Sequence, residues 1–415
     1  MLFCEPKARV DSRKNGNPEI LSIGTELSMN ILGIGIIFNR GRGINCFENA
    51  LQEGWQRPAE VEVPYLKNKK SFVYQVDSQA ISDKTLLRKM RRSDKLSKMA
   101  VLSASDALES SGIENLSPSP NSSPLPTGQA GARGEGEKIG VIVATAFGAH
   151  VKTFDFLNDI LDYGEDSVSP TTFSNSVHNA AASYVSSALD IHGPTLTVTQ
   201  FYFSFQYAMQ LAQAWLNEKR CDYILVGAVE QYGDVLGYVY DCKLTPAPDG
   251  RIKPFNFNPT FQVPGEGAVF FLMGRENSKN NFCEVENIMI GEDREFKTGV
   301  DLNIIDTDGM LPDESVYMQS ISPDIHTAAY SPLFGSMMTG SAFNCAAGAL
   351  MLKNQMTYSN PIINNPHGLN IVEETKGSNI ELIQCIRYNC FNEKAAIYLT
   401  KQGTIFNRDR EVQRR

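Results

Sequence analysis

The stretch from Pro194 to Glu230 constrains the fold of this chain more than any other. Apolar and polar residues alternate over Thr195 to Gln200, which predicts a strand. From Phe205 the apolar residues recur at helical spacing, and Asp222 to Ala228 is a short apolar run typical of a buried parallel strand. Strand, turn, helix and strand form a βαβ unit. The turn before its helix can carry a nucleophile, because a helix N-terminus favours developing negative charge.

Three short motifs frame this unit without a gap: Gly193-Pro194, Cys221-Asp222 and Gly227-Ala228-Val229-Glu230. In that arrangement the unit resembles the nucleophile region of the β-ketoacyl-ACP synthases, condensing enzymes of fatty acid and polyketide synthesis with a thiolase-like fold. The resemblance places Tyr202 at the position of the family's active-site Cys. A phenol, with a pKa of about 10, is a poor acyl-accepting nucleophile at neutral pH.

A second stretch, residues 253–268, resembles the family's Arg-Pro-Phe-Asp motif and the Gly-Glu-Gly-Ala motif that follows it. The residues that match are Phe255, Phe261, Gly265, Glu266, Gly267 and Ala268. In the family this segment supports the site and links the two halves of the molecule. A Glu in a Gly-rich turn most simply satisfies backbone N–H groups, so we prefer a structural role for Glu266 over a catalytic one.

The resemblance also implies two catalytic His residues, which polarise the thioester carbonyl and stabilise the enolate. The nearest match to the first is Asp308, where a carboxylate would repel an enolate. The second belongs after a Thr-Gly pair, here Thr339-Gly340, and Ser341 replaces it. The sequence therefore predicts that the Cys-His-His set is degenerate at Tyr202, Asp308 and Ser341, and it shows no cofactor or metal motif.

Three other residues are candidate substitutes for the missing nucleophile or base, each with a structural alternative. Ser204 begins the helix after the nucleophile turn, and an N-cap role is the alternative. Cys345 lies on an apolar helix, where a small core residue is the alternative. His326 is the only His near the motifs of the second half, and a surface-loop His is its alternative.

The pattern of elements, with the resemblance, predicts an α/β chain with a thiolase-like duplicated fold in five layers, α-β-α-β-α. We expect a disordered or non-native extension over residues 1–28 and a first, β-ketoacyl-synthase-like half over 29–275. The second half should cover residues 276–402, followed by a polar tail over 403–415. Residues 114–137 are rich in Pro, Ser and Gly, which predicts a disordered insertion within the first half.

Composition limits the partners and the compartment. The net charge of −9 argues against nucleic acid as the main partner. The eight Cys are scattered without paired spacing, which favours reduced thiols and a cytoplasmic location. No apolar run approaches the ~18 residues of a membrane span.

The family dimerises by pairing the strand before the nucleophile with its two-fold mate, so the resemblance implies an interface here. Leu196 and Val198 lie on one side of that strand. His178 is the polar exception in the small-residue segment before it, and a hydrogen-bonded structural His is its alternative reading.

Three hypotheses of function follow. The first is a β-ketoacyl synthase homologue without the Cys-His-His set, acting like a chain-length factor beside an active synthase in fatty acid or polyketide-type synthesis. Its partners would be that synthase, in a heterodimer, or a second copy, together with an acyl carrier protein bearing acyl-phosphopantetheine. The second hypothesis is a divergent acyltransferase with a new nucleophile, Ser204 or Cys345. The third is a purely structural paralogue.

Overall fold

The computed structural model describes residues 28–113, 138–275, 281–291 and 295–403. The predicted extension over 1–28, insertion over 114–137 and tail over 403–415 lie outside the described residues, apart from Ser28 and Gly403.

Fifteen strands and ten α-helices are found in these described ranges, numbered here in chain order. The strands are β1 (Met29–Phe38), β2 (Gly41–Arg42), β3 (Ala59–Glu62), β4 (Lys70–Val73), β5 (Ile139–Thr145), β6 (Thr195–Thr199), β7 (Tyr223–Glu230), β8 (Gly267–Gly274), β9 (Cys283–Ile290), β10 (Leu302–Ile305), β11 (His326–Ala328), β12 (Met356–Thr357), β13 (Lys376–Gly377), β14 (Leu382–Tyr388) and β15 (Lys394–Thr400). The helices are α1 (Ile44–Glu53), α2 (Lys84–Lys89), α3 (Lys95–Ser111), α4 (His150–Tyr163), α5 (Pro170–Ser176), α6 (Ala180–Ala188), α7 (Ser204–Asn217), α8 (Asp234–Lys243), α9 (Ser331–Phe334) and α10 (Ser341–Asn354).

One sheet runs through the molecule in the order β11-β10-β14-β15-β9-β1-β8-β7-β5-β6. In the first half β1, β8 and β7 pair antiparallel in turn, and β7, β5 and β6 are parallel. The second half repeats this arrangement with β9, β15, β14, β10 and β11. The halves join where β1 pairs with β9 over Met29 to Ile31. The repeated strand order confirms the predicted duplicated, thiolase-like α/β fold.

Two helices fill the layer between the halves. Helix α7 contacts β5 and β7 of the first half and β9 and β15 of the second, while α10 contacts β14, β15 and β8. Their apolar side chains belong to one core with both sets of strands, including Phe205, Met209, Phe343 and Leu350. Helices α3 and α6 cover the outer face of the first half.

The outer face of the second half is covered differently. In the first half the connection from β1 to β5 contains α1, α2 and α3, whereas the connection from β9 to β10 spans only residues 291–301. Its described residues contain no helix. Phe296 and Ile325 instead pack on the outward side chains Met289, Leu382 and Tyr398. The outer layer of the second half is therefore reduced to irregular segments.

The apolar spacing over Leu86 to Ser110 predicts one long helix, but this prediction is wrong, because the chain forms α2 and α3 with a break between them. The Asp94 carboxylate accepts a hydrogen bond from the Ser97 N–H, so Asp94 is an N-cap that starts a new helix. The break places Lys95 at the start of α3, from which its Nζ donates to Glu266 in the turn Gly265-Glu266-Gly267.

Candidate functional site

The three residues predicted at catalytic positions come from separate elements and all lie in the interior. Tyr202 stands in the turn between β6 and α7, Asp308 follows the end of β10, and Ser341 is the first residue of α10. Tyr202, Asp308 and Ser341 are 6 %, 4 % and 3 % exposed, respectively. The fold brings them together because the carboxyl ends of parallel strands and the helices that follow them meet at one edge.

A buried ion pair that the sequence analysis did not predict lies at this edge. Arg387 Nη1 is 3.1 Å from Asp306 Oδ2 and 3.8 Å from Asp308 Oδ2. Strands β10 and β14 are parallel, and their register pairs Ile305 with Ile386. The next residue of each strand, Asp306 and Arg387, therefore lies opposite the other.

Two further elements hold the Asp306 carboxylate. Ser341 Oγ donates to Oδ2, and Asn344 Nδ2, one turn along α10, donates to Oδ1. From α7, Gln206 Nε2 donates to Ser341 Oγ over 2.8 Å. We refer to the following residues together as the polar centre: Gln206, Asp306, Asp308, Ser341, Asn344 and Arg387.

Asp308 stands in a tight turn that Glu314 organises. Asp308 Oδ1 accepts a hydrogen bond from the Met310 N–H over 3.1 Å, and Glu314 Oε1 accepts from the N–H groups of Asp308 and Gly309. Gly309 has a φ of 78°, and an added Cβ would lie 2.3 Å from the Phe261 carbonyl oxygen. The turn therefore requires glycine at this position.

Burial dominates the protonation of these groups. It raises the pKa of Asp308 to about 7, against the lowering effect of the Arg387 charge. Burial also raises the pKa of Glu314 well above its ordinary value, and the charge of Asp308 raises it further. For Arg387, burial alone lowers the pKa, but Asp308 and Asp306 outweigh it and raise the pKa, so the guanidinium stays charged. One buried cation thus lies beside Asp306 and Asp308, and burial makes Asp308 and Glu314 hold their protons more tightly than usual.

Tyr202 lies in an apolar cluster beside the polar centre. Its neighbours in that cluster include Tyr240, Phe255 and Met338. Burial raises the pKa of Tyr240 well above its ordinary value, and the charges of Glu230 and Asp308 raise it further. The position of the family's nucleophile is therefore occupied by a packed aromatic side chain.

Glu230, which ends the Gly-Ala-Val-Glu motif, is a buried carboxyl group near Tyr240. Its Oε1 accepts from Thr145 Oγ1 over 3.2 Å and from the Ala146 N–H. Burial raises the pKa of Glu230 to about 7, and the hydrogen bond from Ala146 opposes this shift. Glu230 ends strand β7 of the first half, and its charge, like that of Asp308, raises the pKa of Tyr240, so a second carboxyl group with a raised pKa lies near that phenol.

The three candidate substitutes for the missing nucleophile or base, Ser204, Cys345 and His326, differ in their burial and surroundings. Ser204 is fully buried and is the first residue of α7, whose N-cap is Phe203, so the N-cap interpretation of Ser204 is wrong. Gln200 Oε1 instead accepts the hydrogen bond from the Phe203 N–H. Cys345 is buried in the core, and burial raises the pKa of its thiol well above the ordinary value.

His326 is exposed and is the first residue of the edge strand β11, rather than part of a surface loop. It lines a cavity of about 350 Å³ together with Asn370, Glu373 and Lys376. Neither Tyr202 nor Ser341 lines that cavity.

The buried Glu266 carboxylate accepts hydrogen bonds from three separate segments of the chain. Its Oε1 accepts from the Val76 N–H over 2.7 Å and from Lys95 Nζ, and its Oε2 accepts from the Tyr232 N–H over 3.1 Å. This is the backbone-satisfying role that the sequence analysis preferred. Gly265 allows the close approach, since an added Cβ would lie 2.2 Å from the Phe334 carbonyl oxygen.

The other matched motif residues support the same region. Phe255 is fully buried, Phe261 is partly buried against a neighbouring apolar cluster, and Gly267 begins β8. Thr339 and Gly340 are buried, and Gly340 is the N-cap of α10.

Two of the three predicted interface residues, Leu196 and Val198, lie on β6 at an edge of the sheet. Within the described residues, β6 pairs only with β5 and so has one unpaired side. Leu196 is 43 % exposed, whereas Val198 is partly buried against the core. His178 is exposed and lies against Gly148, where an added Cβ would come within 1.9 Å of its Nδ1.

The arrangement limits what this site can do chemically. A serine hydroxyl donating to a carboxylate, an ion pair and a packed phenol offer no exposed nucleophile for a thioester. A larger cavity of about 520 Å³ lies nearby, but Tyr202, Asp308 and Ser341 do not line it. No cluster of His, Cys, Asp or Glu among the described residues could hold a metal ion. The described helices also include none that is long and apolar enough to cross a membrane.

The chain is similar to a known family in sequence and to solved structures in fold. Residues 28–278 match the family described as β-ketoacyl synthase, N-terminal domain. No curated protein matches the chain.

Several solved structures share the fold at low sequence identity. The ishigamide ketosynthase/chain length factor has a TM-score of 0.73 and 14 % identity, and the match covers 91 % of this chain and 100 % of that one. A β-ketoacyl synthase from Burkholderia phymatum STM815 has a TM-score of 0.70 and 14 % identity, covering 90 % and 99 %. A type II PKS acyl-carrier protein in complex with its ketosynthase bound to the hexaketide gives a TM-score of 0.71 and 12 % identity, covering 91 % and 100 %.

Proposed function

Because the chain belongs to the β-ketoacyl synthase family, we propose that it serves as a non-condensing subunit beside an active synthase, as a chain-length factor does. The proposed setting is fatty acid or polyketide-type synthesis. The similarity in fold to a ketosynthase/chain length factor supports this assignment.

The polar centre carries the proposal. Condensation needs a thiolate that accepts the acyl group and donors that stabilise an enolate. Here a packed phenol stands at the first position, and Asp308 and Ser341 stand where the resemblance implies His residues. Ser341 Oγ is committed to the Asp306 carboxylate, and a charged Asp308 would raise the energy of an enolate beside it.

A surface suited to a partner subunit supports the proposal. Strand β6 leaves one side unpaired within the described residues, and such an edge invites pairing with another chain. Helix α4 contains no buried residue, and its apolar side chains Leu157, Leu161 and Tyr163 are strongly exposed. An exposed apolar patch of this kind is typical of a protein interaction site.

We further propose that the assembly takes its substrates from an acyl carrier protein bearing acyl-phosphopantetheine, and that it works in the cytoplasm. The carrier is suggested by a similar structure that contains an acyl-carrier protein with its ketosynthase. The compartment is suggested by the cysteines, since every cysteine in the described part of the chain is a free thiol.

A divergent acyltransferase that uses Ser204 or Cys345 is the second candidate. It has less support, because neither side chain reaches solvent and the thiol of Cys345 has a raised pKa. A purely structural paralogue is the third, and the association experiment separates it from the first.

The test is co-expression of the tagged chain with each synthase encoded beside its gene, followed by affinity purification and light scattering. We expect a stable heterodimer with one synthase. The variant Leu196→Arg should abolish this heterodimer, since Leu196 lies on the edge strand β6 and is 43 % exposed. Ile363→Arg is the matched control, because Ile363 is an apolar side chain that is 56 % exposed and lies far along the chain from β6.

A monomer that binds no synthase would contradict the proposal, as would equal effects of the two variants. The isolated chain should also release no CO₂ from malonyl-ACP, whereas the heterodimer should. A stable acyl adduct on Ser204 or Cys345 in intact-mass spectra would favour the acyltransferase instead.

A further inference from the structure

Arg40 is a buried cation outside the polar centre, in the turn between β1 and β2. Its side chain is 8 % exposed, and its Nη2 donates to the carbonyl oxygen of Gly54, the residue before Trp55. Within the described part of the chain, its Nε and Nη1 are buried and have no hydrogen-bond partner. Buried donors in folded proteins are almost always paired, so two unpaired donors on one charged side chain point to an acceptor from outside the chain.

Glu53 is a counter-ion of Arg40, but the contact between them is loose. Glu53 Oε2 lies 3.8 Å from Arg40 Nη1, which is too far for a hydrogen bond, and the Glu53 side chain is 59 % exposed. The same oxygen accepts from Gln56 Nε2 over 3.1 Å. Burial lowers the pKa of Arg40, whereas the pKa of Arg387 is raised, so the charge of Arg40 is the less well compensated of the two.

Two more guanidinium groups lie around the aromatic side chains next to Arg40. Arg251 stacks on Trp55, with its Cζ 4.4 Å from the ring centroid, and the Cζ of Arg57 lies 4.8 Å from the centroid of Phe72. Phe72 belongs to one apolar cluster with Tyr74, and Trp55 Nε1 is buried beside the Tyr74 hydroxyl without a well-aligned hydrogen bond. Arg57 and Arg251 are exposed, so they add positive charge on the solvent side of these rings.

This arrangement favours an anion that can contact several donors at once. Guanidinium groups bind phosphate through pairs of parallel N–H donors, and such charge-assisted hydrogen bonds are about twice as strong as neutral ones. A phosphate monoester carries roughly two negative charges at neutral pH, so it can compensate Arg40 and Arg251 together. It must displace the Glu53 carboxylate, which is exposed and too far from Arg40 for a hydrogen bond.

We propose that Arg40, together with Arg251 and the indole N–H of Trp55, binds a phosphate group, either of a small organic phosphate or of the free ion. Phosphate oxygens accept hydrogen bonds from Nε and Nη1 of Arg40 after the Glu53 carboxylate has moved into solvent. The site lies between the β1–β2 turn and the end of α1, and it shares no residue with the polar centre. The inference therefore goes beyond the proposed function and holds whether or not the chain pairs with a synthase.

Isothermal titration calorimetry of the purified chain tests the site, with inorganic phosphate and phenyl phosphate as the two probes. Chloride keeps the ionic strength constant, so that screening does not change between injections. We expect saturable binding of one anion per chain. Tighter binding of phenyl phosphate would support an organic phosphate as the ligand, and tighter binding of inorganic phosphate would support the free ion.

Two pairs of variants separate this site from unspecific attraction to surface charge. Arg40→Lys keeps the charge but loses the paired N–H donors, and it should weaken binding at least about tenfold. Its control, Arg220→Lys, changes an exposed Arg that pairs with Glu218 and should leave the affinity unchanged. Glu53→Gln removes the competing carboxylate and should strengthen binding, whereas Glu218→Gln removes the same charge elsewhere and should not.

The Glu53 variant keeps the test decisive if Arg40→Lys fails to fold, as judged by circular dichroism. The proposal is overturned if the parent chain shows no saturable binding at millimolar phosphate. It is also overturned if Arg40→Lys and Arg220→Lys bind phosphate alike, or if Glu53→Gln and Glu218→Gln do.

Discussion

Arg387 Nη1 and Asp306 Oδ2 lie 3.1 Å apart, with side chains that are only 2 % and 3 % exposed. Burying a charge in this way is costly unless each charge keeps its partner and its hydrogen bonds. Here Asp306 keeps hydrogen bonds from Ser341 and Asn344 as well as the ion pair. The attraction within the pair therefore adds little net stability to the fold, whereas removal of one member should destabilise the fold strongly.

Replacing Arg387 by Met tests that dependence. The variant leaves Asp306 and Asp308 buried without a cation, and we expect the free energy of unfolding to fall by about 3–5 kcal/mol. Urea denaturation of the variant and the parent measures the loss. The triple variant Arg387→Met with Asp306→Asn and Asp308→Asn removes the unpaired charges and should recover much of it. A loss under about 1 kcal/mol for the single variant would show that water reaches the site.

Stability should fall as the pH rises toward neutrality. The pKa values of Asp308 and Glu230 are about 7 in the folded protein because of burial, above the ordinary values of about 4 in the unfolded chain. Each group then binds its proton more tightly when folded, so its contribution is complete below about pH 4 and is lost as the pH rises to 7. The steepest expected slope is about 1.4 kcal/mol per pH unit for each group.

Urea midpoints at pH 5, 6, 7 and 8 measure this slope. Asp308→Asn with Glu230→Gln mimics the protonated forms and should flatten the profile between pH 5 and 7. An unchanged slope in the double variant would mean that other groups cause it.

Partner binding through β6 can be tested with two neighbouring proline variants. The Gln200 N–H donates to the Thr145 carbonyl, and the Pro194 carbonyl accepts from the Val141 N–H. The backbone N–H and C=O groups of the even-numbered residues of this strand therefore point toward β5. Val198 therefore bonds toward β5, and Val198→Pro should damage the subunit itself, by ~3 kcal/mol or more if Pro is as disruptive here as in helices.

The backbone N–H and C=O groups of Thr197 point to the other side of β6, which is unpaired within the described residues. Thr197→Pro should leave the monomer folded but prevent strand addition by a partner, as judged by circular dichroism and light scattering of the co-expressed pair. A heterodimer that forms normally with Thr197→Pro would show that β6 is not the paired strand.

Glu266 should be essential for stability rather than for chemistry. Glu266→Leu leaves the N–H groups of Val76 and Tyr232 without an acceptor and Lys95 without its partner, which should cost about 3 kcal/mol or more. Glu266→Gln keeps an acceptor oxygen and should cost less. Thermal unfolding of both variants gives the comparison, and equal losses would indicate that the charge, not the acceptor, is what the turn needs.

Much of the fold could be predicted from periodicity and motifs. The apolar runs Cys283–Ile290 and Leu302–Ile305 predict strands with the bounds that the structure shows, and the repeated strand order follows the expected duplication. The helix break at Asp94 was missed because the apolar spacing continues across it. A side-chain cap depends on one hydrogen bond, to the Ser97 N–H, which periodicity does not register.

The sequence identified Tyr202, Asp308 and Ser341 as positions without the family's residues, but it did not identify what replaced that chemistry. Asp306 and Arg387 are 81 residues apart and meet only through the register of β10 and β14. One signal was available, since Arg387 is the one charged residue of the mostly apolar strand β14, and a charge in such a place needs a buried partner. The identity of that partner depends on tertiary structure.

The position of β1 has a consequence for how the chain is made. This strand is translated well before its partners β8 and β9, as the 245-residue separation between Asn30 and Arg275 illustrates. Its ten residues are all buried in the finished protein, so the nascent chain carries this apolar segment without its long strand partners until β8 and β9 have been translated. Non-local pairing of this kind slows folding and exposes the chain to aggregation. We therefore expect efficient production of this protein to depend on chaperones that shield β1 until the middle of the molecule has been translated.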